Sequence, residues 1–154
     1  MSKSTPGRQV VFVCAGNQTR SPIAAEVFRV KMKARGIDCL VESAGYLQDV
    51  EGQPANRQWA NVMGADQYDL SGHRSRHLSS VKFSPATLFV CMDRDVMDEV
   101  SRTSGINIDN VIVLNPPNGV GDPHLSFSPR AYQDTFTLIS GGVNRLIDLL
   151  LRDT

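Results

Sequence analysis

The feature that most constrains the fold of this sequence is an alternation of short apolar runs with segments of helical spacing. Four apolar, partly β-branched runs predict buried strands: Gln9–Cys14, Cys39–Glu42, Ala86–Cys91 and Asn110–Leu114. Helical spacing and terminal signals predict helices at Ser21–Arg35, Asn56–Met63, Asp93–Arg102 and Ser128–Arg152. Strands that alternate with helices are typical of the α/β class with a parallel sheet.

Length and charge narrow the classes of function. The 154 residues predict one domain, with residues 1–7 as a flexible N-terminal tail. The 16 basic and 16 acidic side chains balance, which argues against general binding to nucleic acid or to an anionic membrane. No apolar run is long enough to span a bilayer and the N-terminus lacks the apolar core of a signal peptide, so a cytoplasmic location is expected. Twelve of the basic residues are arginines, whose planar forks suit a local anion site.

The cysteines argue against a disulfide framework and against a metal centre. The three cysteines, Cys14, Cys39 and Cys91, are widely spaced and form no C-x-x-C pair. Cys39 and Cys91 lie in apolar runs and are interpreted as small buried hydrophobic residues. We therefore expect neither a metal nor a cofactor.

The segment from Cys14 to Arg20 has the features of an anion-binding loop with a nucleophile. It follows the first predicted strand, contains Gly16 and ends where a helix begins at Ser21-Pro22, with Ser21 as the expected cap and Pro22 in the first turn. A loop in that position directs backbone N–H groups and the positive end of the helix dipole to one point. Arg20 can then clamp an oxyanion with two parallel hydrogen bonds. The same field stabilises a thiolate at Cys14, which makes it a candidate nucleophile toward phosphorus.

A thiolate that attacks a phosphomonoester needs an acid for the leaving oxygen. Asp122 is the candidate, because it precedes a proline in the loop after the fourth predicted strand, near the carboxyl edge of the sheet. A structural turn is the alternative for Asp122-Pro123, and His124 is a rival acid.

These segments resemble the low-molecular-weight protein-tyrosine-phosphatase family over about residues 8–150. The loop of that family reads C-x-G-N-x-C-R-S-P, and the likeness rests on six segments in order: Cys14 to Pro22, Glu42-Ser43-Ala44-Gly45, Gly52-Gln53-Pro54, Ser71 to Arg76, Cys91-Met92-Asp93 and Asp122-Pro123. The resemblance implies a four-stranded parallel sheet flanked by helices, in three α/β/α layers. It also implies cofactor-independent hydrolysis of phosphorylated proteins, with phosphotyrosine as substrate, by a monomer or weak dimer.

The resemblance also implies a role for each matching residue. Cys14 would form a phosphocysteine, Arg20 would bind the phosphoryl oxygens, and Asp122 would protonate the leaving group and then activate water. The phosphate-binding loop would comprise Ala15, Gly16, Asn17, Gln18, Thr19 and Arg20, and would also hold inorganic phosphate or similar oxyanions. Ser21 would hydrogen-bond the thiolate and Asn17 would shape the loop. His73 and Asp93 would form a buried pair behind it.

The sequence departs from the family at the loop and at the rim of the pocket. Thr19 stands where the family usually has a second cysteine, so a sulfenic acid on Cys14 would lack an adjacent resolving thiol. Aromatic residues usually line the rim, whereas the corresponding positions here are Asp49, His124 and Leu125. Three aromatic side chains are candidates to compensate: Tyr46, Phe127 and Tyr132.

Other functions remain open at this point. An arsenate reductase of the same fold would use Cys14, and a relative within the family would hydrolyse phosphoarginine. A non-catalytic phosphate-binding adaptor is the alternative of a different class, although Cys14, Arg20 and Asp122 are all present.

Overall fold

A parallel sheet forms the centre of the computed structural model, which describes residues 8–62, 67–123 and 128–152. Within these ranges the sheet has four strands: β1 Gln9–Cys14, β2 Leu40–Gly45, β3 Leu88–Cys91 and β4 Val111–Val113. The α-helices are α1 Arg20–Ala34, α2 Arg94–Ser101 and α3 Pro129–Arg152. All four predicted strands are therefore confirmed, with β2 displaced toward Gly45 and with β3 and β4 shorter than expected.

The strand order β2-β1-β3-β4 places the two central strands, β1 and β3, side by side. The chain goes from β1 to one neighbour, β2, and then crosses to the other side of β1 to form β3. Such a reversal leaves a crevice beyond the carboxyl ends of the central strands, where ligands bind in open α/β sheets. Cys14, the last residue of β1, is paired with Gly45 at this edge.

Helices cover both faces of the sheet, as the α/β/α expectation requires. Alternate strand residues point to opposite faces. Val10, Phe12 and Cys14 belong to the larger core, whose members from α1 and α3 include Ile23, Phe28, Ile139, Val143 and Ile147. The smaller core, with α2, contains these buried residues: Val11, Val13, Ala44, Leu78, Val81, Phe89, Cys91, Val96 and Val100. Cys14 and Cys91 therefore face opposite sides of the sheet.

Two predicted helix boundaries were wrong. The segment expected to form a helix from Asn56 to Met63 is instead a 3₁₀-helix at Arg57–Asn61, and residue 63 lies outside the described ranges. The first α-helix begins at Arg20, so Ser21 lies inside it rather than serving as its cap. The Ser21 hydroxyl is engaged instead with Cys14 and Asn17. In the part of the chain described here, no helix is long and apolar enough to cross a membrane.

Candidate active site

Residues 15–19 connect β1 to α1 and bring Cys14 and Arg20 together at the carboxyl edge of the sheet. Both end residues are almost inaccessible to solvent, with 3% of each exposed. Cys14 Sγ lies 3.0 Å from Oγ of Ser21, the second residue of α1. The thiol is thereby held at the floor of the site rather than on its surface.

The carbonyl groups of this loop point away from the site. Four of them accept hydrogen bonds of 2.7–3.1 Å from other segments: Ala15 from the amides of Tyr46 and Leu47, Asn17 from His73 Nε2, Gln18 from the amide of Asn56, and Thr19 from Trp59 Nε1. In a trans peptide unit the N–H points opposite to the C=O. Among the described residues, no acceptor is found for the N–H groups of residues 15–19. The loop therefore offers a set of unpaired donors, as an oxyanion requires.

Asn17 fixes the shape of the loop by using both ends of its side-chain amide. Its backbone is left-handed, with φ of 57°, a conformation that asparagine tolerates better than most residues. The buried side chain donates to Ser21 Oγ at 2.9 Å and to Ser43 Oγ at 3.0 Å. Its Oδ1 accepts from the amide of Arg76 at 2.9 Å. These bonds satisfy the buried side chain and hold the unusual backbone conformation in place.

The guanidinium of Arg20 is oriented from behind by two acceptors. Nη1 donates to Asp93 Oδ2 at 2.6 Å and to the carbonyl of Val120 at 2.9 Å. The buried Nε has no hydrogen-bond partner in the described part of the chain. An uncompensated buried N–H is costly, so this group is a candidate donor to a ligand of the cavity that Arg20 lines.

The predicted pair of His73 and Asp93 is wrong. Asp93 follows β3 and bonds to Arg20, whereas the Nε2–H of His73 donates to the carbonyl of Asn17 at 2.7 Å. The two residues thus brace different ends of the loop. Burial lowers the pKa of His73 from its ordinary value, although the hydrogen bond to Asn17 acts in the opposite direction. The neutral ring is the form that this environment favours.

A cavity of about 390 Å³ opens over the loop and brings Cys14, Arg20 and Asp122 together. Its other lining residues are Ala15, Gly16, Gln18, Thr19, Leu47, Gln53, Pro54, Ala55, Asn56 and Arg57. Of the expected rim residues, Tyr46 packs against the core beneath α2 and Asp49 borders a separate depression with His77. Neither lines this cavity. His124, Leu125 and Phe127 lie outside the described residues.

Several residues of the site were not anticipated from the sequence. Leu47 occupies the rim in place of Asp49, and Arg57 adds a cation to the wall. Asn56 caps the 3₁₀-helix with its side chain and also donates to the hydroxyl of Tyr132 at 2.8 Å. Asparagine before a helical run was a usable signal for the cap, but nothing local marked its contact with the loop. No cluster of metal-ligating side chains occurs among the residues that the structure describes.

The arrangement combines a buried thiol, a ring of unpaired amide donors, an oriented guanidinium and a carboxyl group at one cavity. Such donors stabilise negative charge on a tetrahedral or trigonal oxyanion beside the sulfur atom. The site is therefore suited to transfer of a phosphoryl group to Cys14, with Asp122 as the available acid.

Comparison with known proteins gives a consistent result. The family model for low molecular weight phosphotyrosine protein phosphatase matches residues 9–154. A low molecular weight protein-tyrosine-phosphatase of Streptomyces coelicolor is 38% identical over 87 residues, which span 55% of this chain and about half, 52%, of that relative. PtpA of Staphylococcus epidermidis, another protein of that description, is 24% identical over 161 residues, with 94% of both chains covered. The crystal structure of a low molecular weight protein tyrosine phosphatase from T. tengcongensis superposes with a TM-score of 0.81 at 28% identity, covering 92% of this chain and 99% of that chain.

Proposed function

Because this chain belongs to the low molecular weight phosphotyrosine protein phosphatase family, we propose that it hydrolyses phosphotyrosine in proteins through a cysteinyl-phosphate on Cys14. The observation that carries the proposal is the set of loop amides next to Cys14 for which the described residues offer no acceptor, together with the Nε of Arg20, which also has no partner among them. A phosphoryl group is the common biological ligand that needs several donors at one point and accepts a thiolate as nucleophile.

In the first step the Cys14 thiolate attacks phosphorus and the bond from phosphorus to the tyrosine oxygen breaks. Ser21 would support the thiolate, because Asn17 Nδ2 donates to the serine oxygen and the hydroxyl proton can then be donated to Cys14 Sγ at 3.0 Å, a shorter contact than the one of 3.4 Å to the carbonyl of Ala44. The loop amides and the outward edge of the Arg20 guanidinium would neutralise the equatorial oxygens as charge moves onto them. Asp93 and the Val120 carbonyl keep that guanidinium from turning away.

Asp122 acts as the general acid that protonates the departing tyrosine oxygen. In the second step the resulting carboxylate removes a proton from water, water attacks phosphorus, and the bond from sulfur to phosphorus breaks to release inorganic phosphate and free Cys14. The support is the position of Asp122 on the wall of the cavity that holds the thiol. Splitting the hydrolysis into two displacements lets one carboxyl group serve as acid and then as base.

The positions of the other cysteines give no support to thioredoxin-coupled arsenate reduction. That reaction passes oxidation from the nucleophile to a second thiol within reach. Cys91 lies on the opposite face of the sheet from Cys14, and Cys39 precedes β2 at the far end of its pairing with β1. All three cysteines are free.

The central test is turnover of an aryl phosphate and of a phosphotyrosine peptide by wild type, Cys14→Ser and the matched control Cys39→Ser. We expect Cys14→Ser to abolish turnover and Cys39→Ser to retain it. A Cys14→Ser variant with wild-type rates would contradict the covalent mechanism. Activity on the aryl phosphate without activity on the phosphotyrosine peptide would contradict the proposed substrate class, whether or not a phosphoserine or phosphoarginine peptide is hydrolysed.

The role of Asp122 is tested separately with a series of aryl phosphates of increasing leaving-group pKa. Asp122→Ala should lose most rate on the most basic leaving groups, because these depend most on protonation. The exposed Asp109→Ala variant is the control for an unrelated carboxyl group. Equal losses along the series would show that Asp122 is not the acid, and His124→Ala would then be measured.

A further inference from the structure

We propose that Arg57 selects substrates that carry an acidic residue next to the phosphorylated residue. This inference rests on the proposed phosphatase function and adds to it a preference within the substrate class. Three observations carry it: Arg57 lies in the cavity wall, its side chain has no partner among the described residues, and its backbone is fixed to the loop.

Arg57 is a charged residue of the cavity that has no role in the proposed mechanism. Among the described residues, the charged side chains that line the cavity are Arg20, Arg57 and Asp122, and Arg20 and Asp122 belong to the proposed reaction machinery. The Arg57 side chain is exposed and makes no hydrogen bond or ion pair with any described residue. Its charge is thus available to a ligand, and a carboxylate is the planar anion that its fork fits best.

The backbone that carries Arg57 is fixed relative to the phosphate-binding loop on both sides. The amide of Asn56 donates to the carbonyl of Gln18 at 2.8 Å, and Trp59 Nε1 donates to the carbonyl of Thr19 at 2.7 Å. Trp59 is almost fully buried, with 1% exposed. A bound phosphoryl group and the base of the Arg57 side chain therefore keep a constant separation, which lets one cation discriminate between neighbours of the phosphorylated residue.

Beyond Arg20, Arg57 and Asp122, the described residues of the wall are uncharged. Leu47 is 47% exposed and its amide donates to the carbonyl of Ala15 at 3.1 Å, so an apolar surface is also tied to the loop. The cavity volume of about 390 Å³ lies within the range of small-molecule sites, roughly 300–1,000 Å³. A site of this size holds more than a phosphoryl group, so flanking parts of the substrate reach the wall where Leu47 and Arg57 lie.

The expected preference is modest because the pair is exposed. Solvent-exposed ion pairs correspond to roughly a 1.5- to 5-fold change in an equilibrium constant. We therefore expect about a two- to fivefold higher kcat/KM for an acidic neighbour than for its neutral isostere in low salt. The preference should fall as ionic strength rises, since the Debye length shrinks to about 3 Å at 1 M salt.

The test uses three phosphotyrosine peptides that differ only in having Glu, Gln or Lys beside the phosphotyrosine. Wild type should prefer Glu over Gln, Arg57→Gln should lose the preference, and Arg57→Glu should prefer Lys. Arg102→Gln removes an exposed arginine at the end of α2 and should retain the wild-type ratio. The readout is the ratio of kcat/KM values within each variant, which does not depend on how much active enzyme a preparation contains.

An unchanged Glu-to-Gln ratio in Arg57→Gln would overturn the inference while leaving the phosphatase proposal intact. Absence of turnover with every peptide and with an aryl phosphate would instead overturn the proposed function. In that case, binding of the same three peptides tests the inference separately. Binding is measured by the fluorescence of Trp59, which is the single tryptophan of the chain and donates a hydrogen bond to the loop. Equal dissociation constants for the three peptides would then reject it.

Discussion

Replacement of Asp93 should separate two contributions that one carboxylate makes to stability. Oδ2 accepts from Arg20 at 2.6 Å, and Oδ1 caps α2 by accepting from the amide of Val96 at 2.9 Å. The side chain of Arg20 is 4% exposed and that of Asp93 is 29% exposed, so the pair is only partly screened. A charge-assisted hydrogen bond of this kind contributes about 2 kcal/mol, and a helix cap about 1 kcal/mol.

Three substitutions distinguish the two contributions. Asp93→Ala removes both and should lower the free energy of unfolding by about 3 kcal/mol, which corresponds to roughly 6–12 °C in Tm for a chain of this size. Asp93→Ser keeps a cap but cannot reach Arg20, and should lose about 2 kcal/mol. Asp93→Asn keeps a single acceptor oxygen for two donors, Arg20 Nη1 and the amide of Val96, so it should lose one of these two hydrogen bonds.

The assay is chemical denaturation in phosphate-free buffer, because an oxyanion in the loop would compensate the charge of Arg20. Asp98→Ala, on the exposed face of the same helix, is the control and should change stability by less than about 0.5 kcal/mol. Wild-type stability of Asp93→Ser would show that the ion pair contributes nothing. Equal stability of Asp93→Ser and Asp93→Ala would show the same for the cap.

Four further perturbations test other parts of the site. Gly45→Ala should destabilise the fold by about 2 kcal/mol and lower kcat/KM by about a hundredfold, because the added Cβ would lie 2.6 Å from a carbonyl oxygen of the loop. The control is Gly72→Ala, which should change neither quantity because its added Cβ meets no atom within 4 Å. Since burial lowers the pKa of His73, the unfolded chain binds the proton more tightly, so stability should fall as pH drops below about 6.5, and this dependence should weaken in His73→Gln. Alkylation of the native protein should label Cys14 before Cys91, whose pKa is strongly raised by burial, and inorganic phosphate should protect Cys14. Peroxide should inactivate the enzyme with poor recovery in dithiol, as expected for a thiol without a resolving partner in its loop.

Each of these expectations has a clear contrary result. Equal effects of the two alanine substitutions at glycine would show that the close approach of β2 to the loop is relaxed in solution. A pH profile of unfolding that His73→Gln leaves unchanged would assign the dependence to other groups. Labelling that phosphate does not slow, or full recovery after peroxide, would argue against the description of the Cys14 site.

Sequence reasoning found the strands and the loop because both are local patterns. The run Gln9–Cys14 is buried throughout, and the loop that follows it is defined by a strand end and a helix start. The rim was predicted less well, because counting positions after Ser43 gives the order of residues and not their direction. Asp49 itself has a left-handed backbone with φ of 60°, which a count of positions does not reveal.

The partners of His73 and Asp93 could not be predicted for a related reason. Each residue lies beside the loop, but which end of the loop it meets depends on the strand order at the sheet edge. Asp93 follows β3 and meets Arg20, whereas His73, in the segment between β2 and β3, meets Asn17. Only the assembled sheet contains that information.

The outward hydrogen bonds of the loop carbonyls make the anion site a property of the assembled chain rather than of the loop peptide. Their donors lie far away in sequence, 56 residues from Asn17 in one case and 40 residues from Thr19 in another. Contacts of such separation form only when the intervening segments have docked. An oxyanion that binds this arrangement alone therefore acts as a ligand of the native state, and at one hundred times its Kd it adds about 2.7 kcal/mol to the stability of the fold.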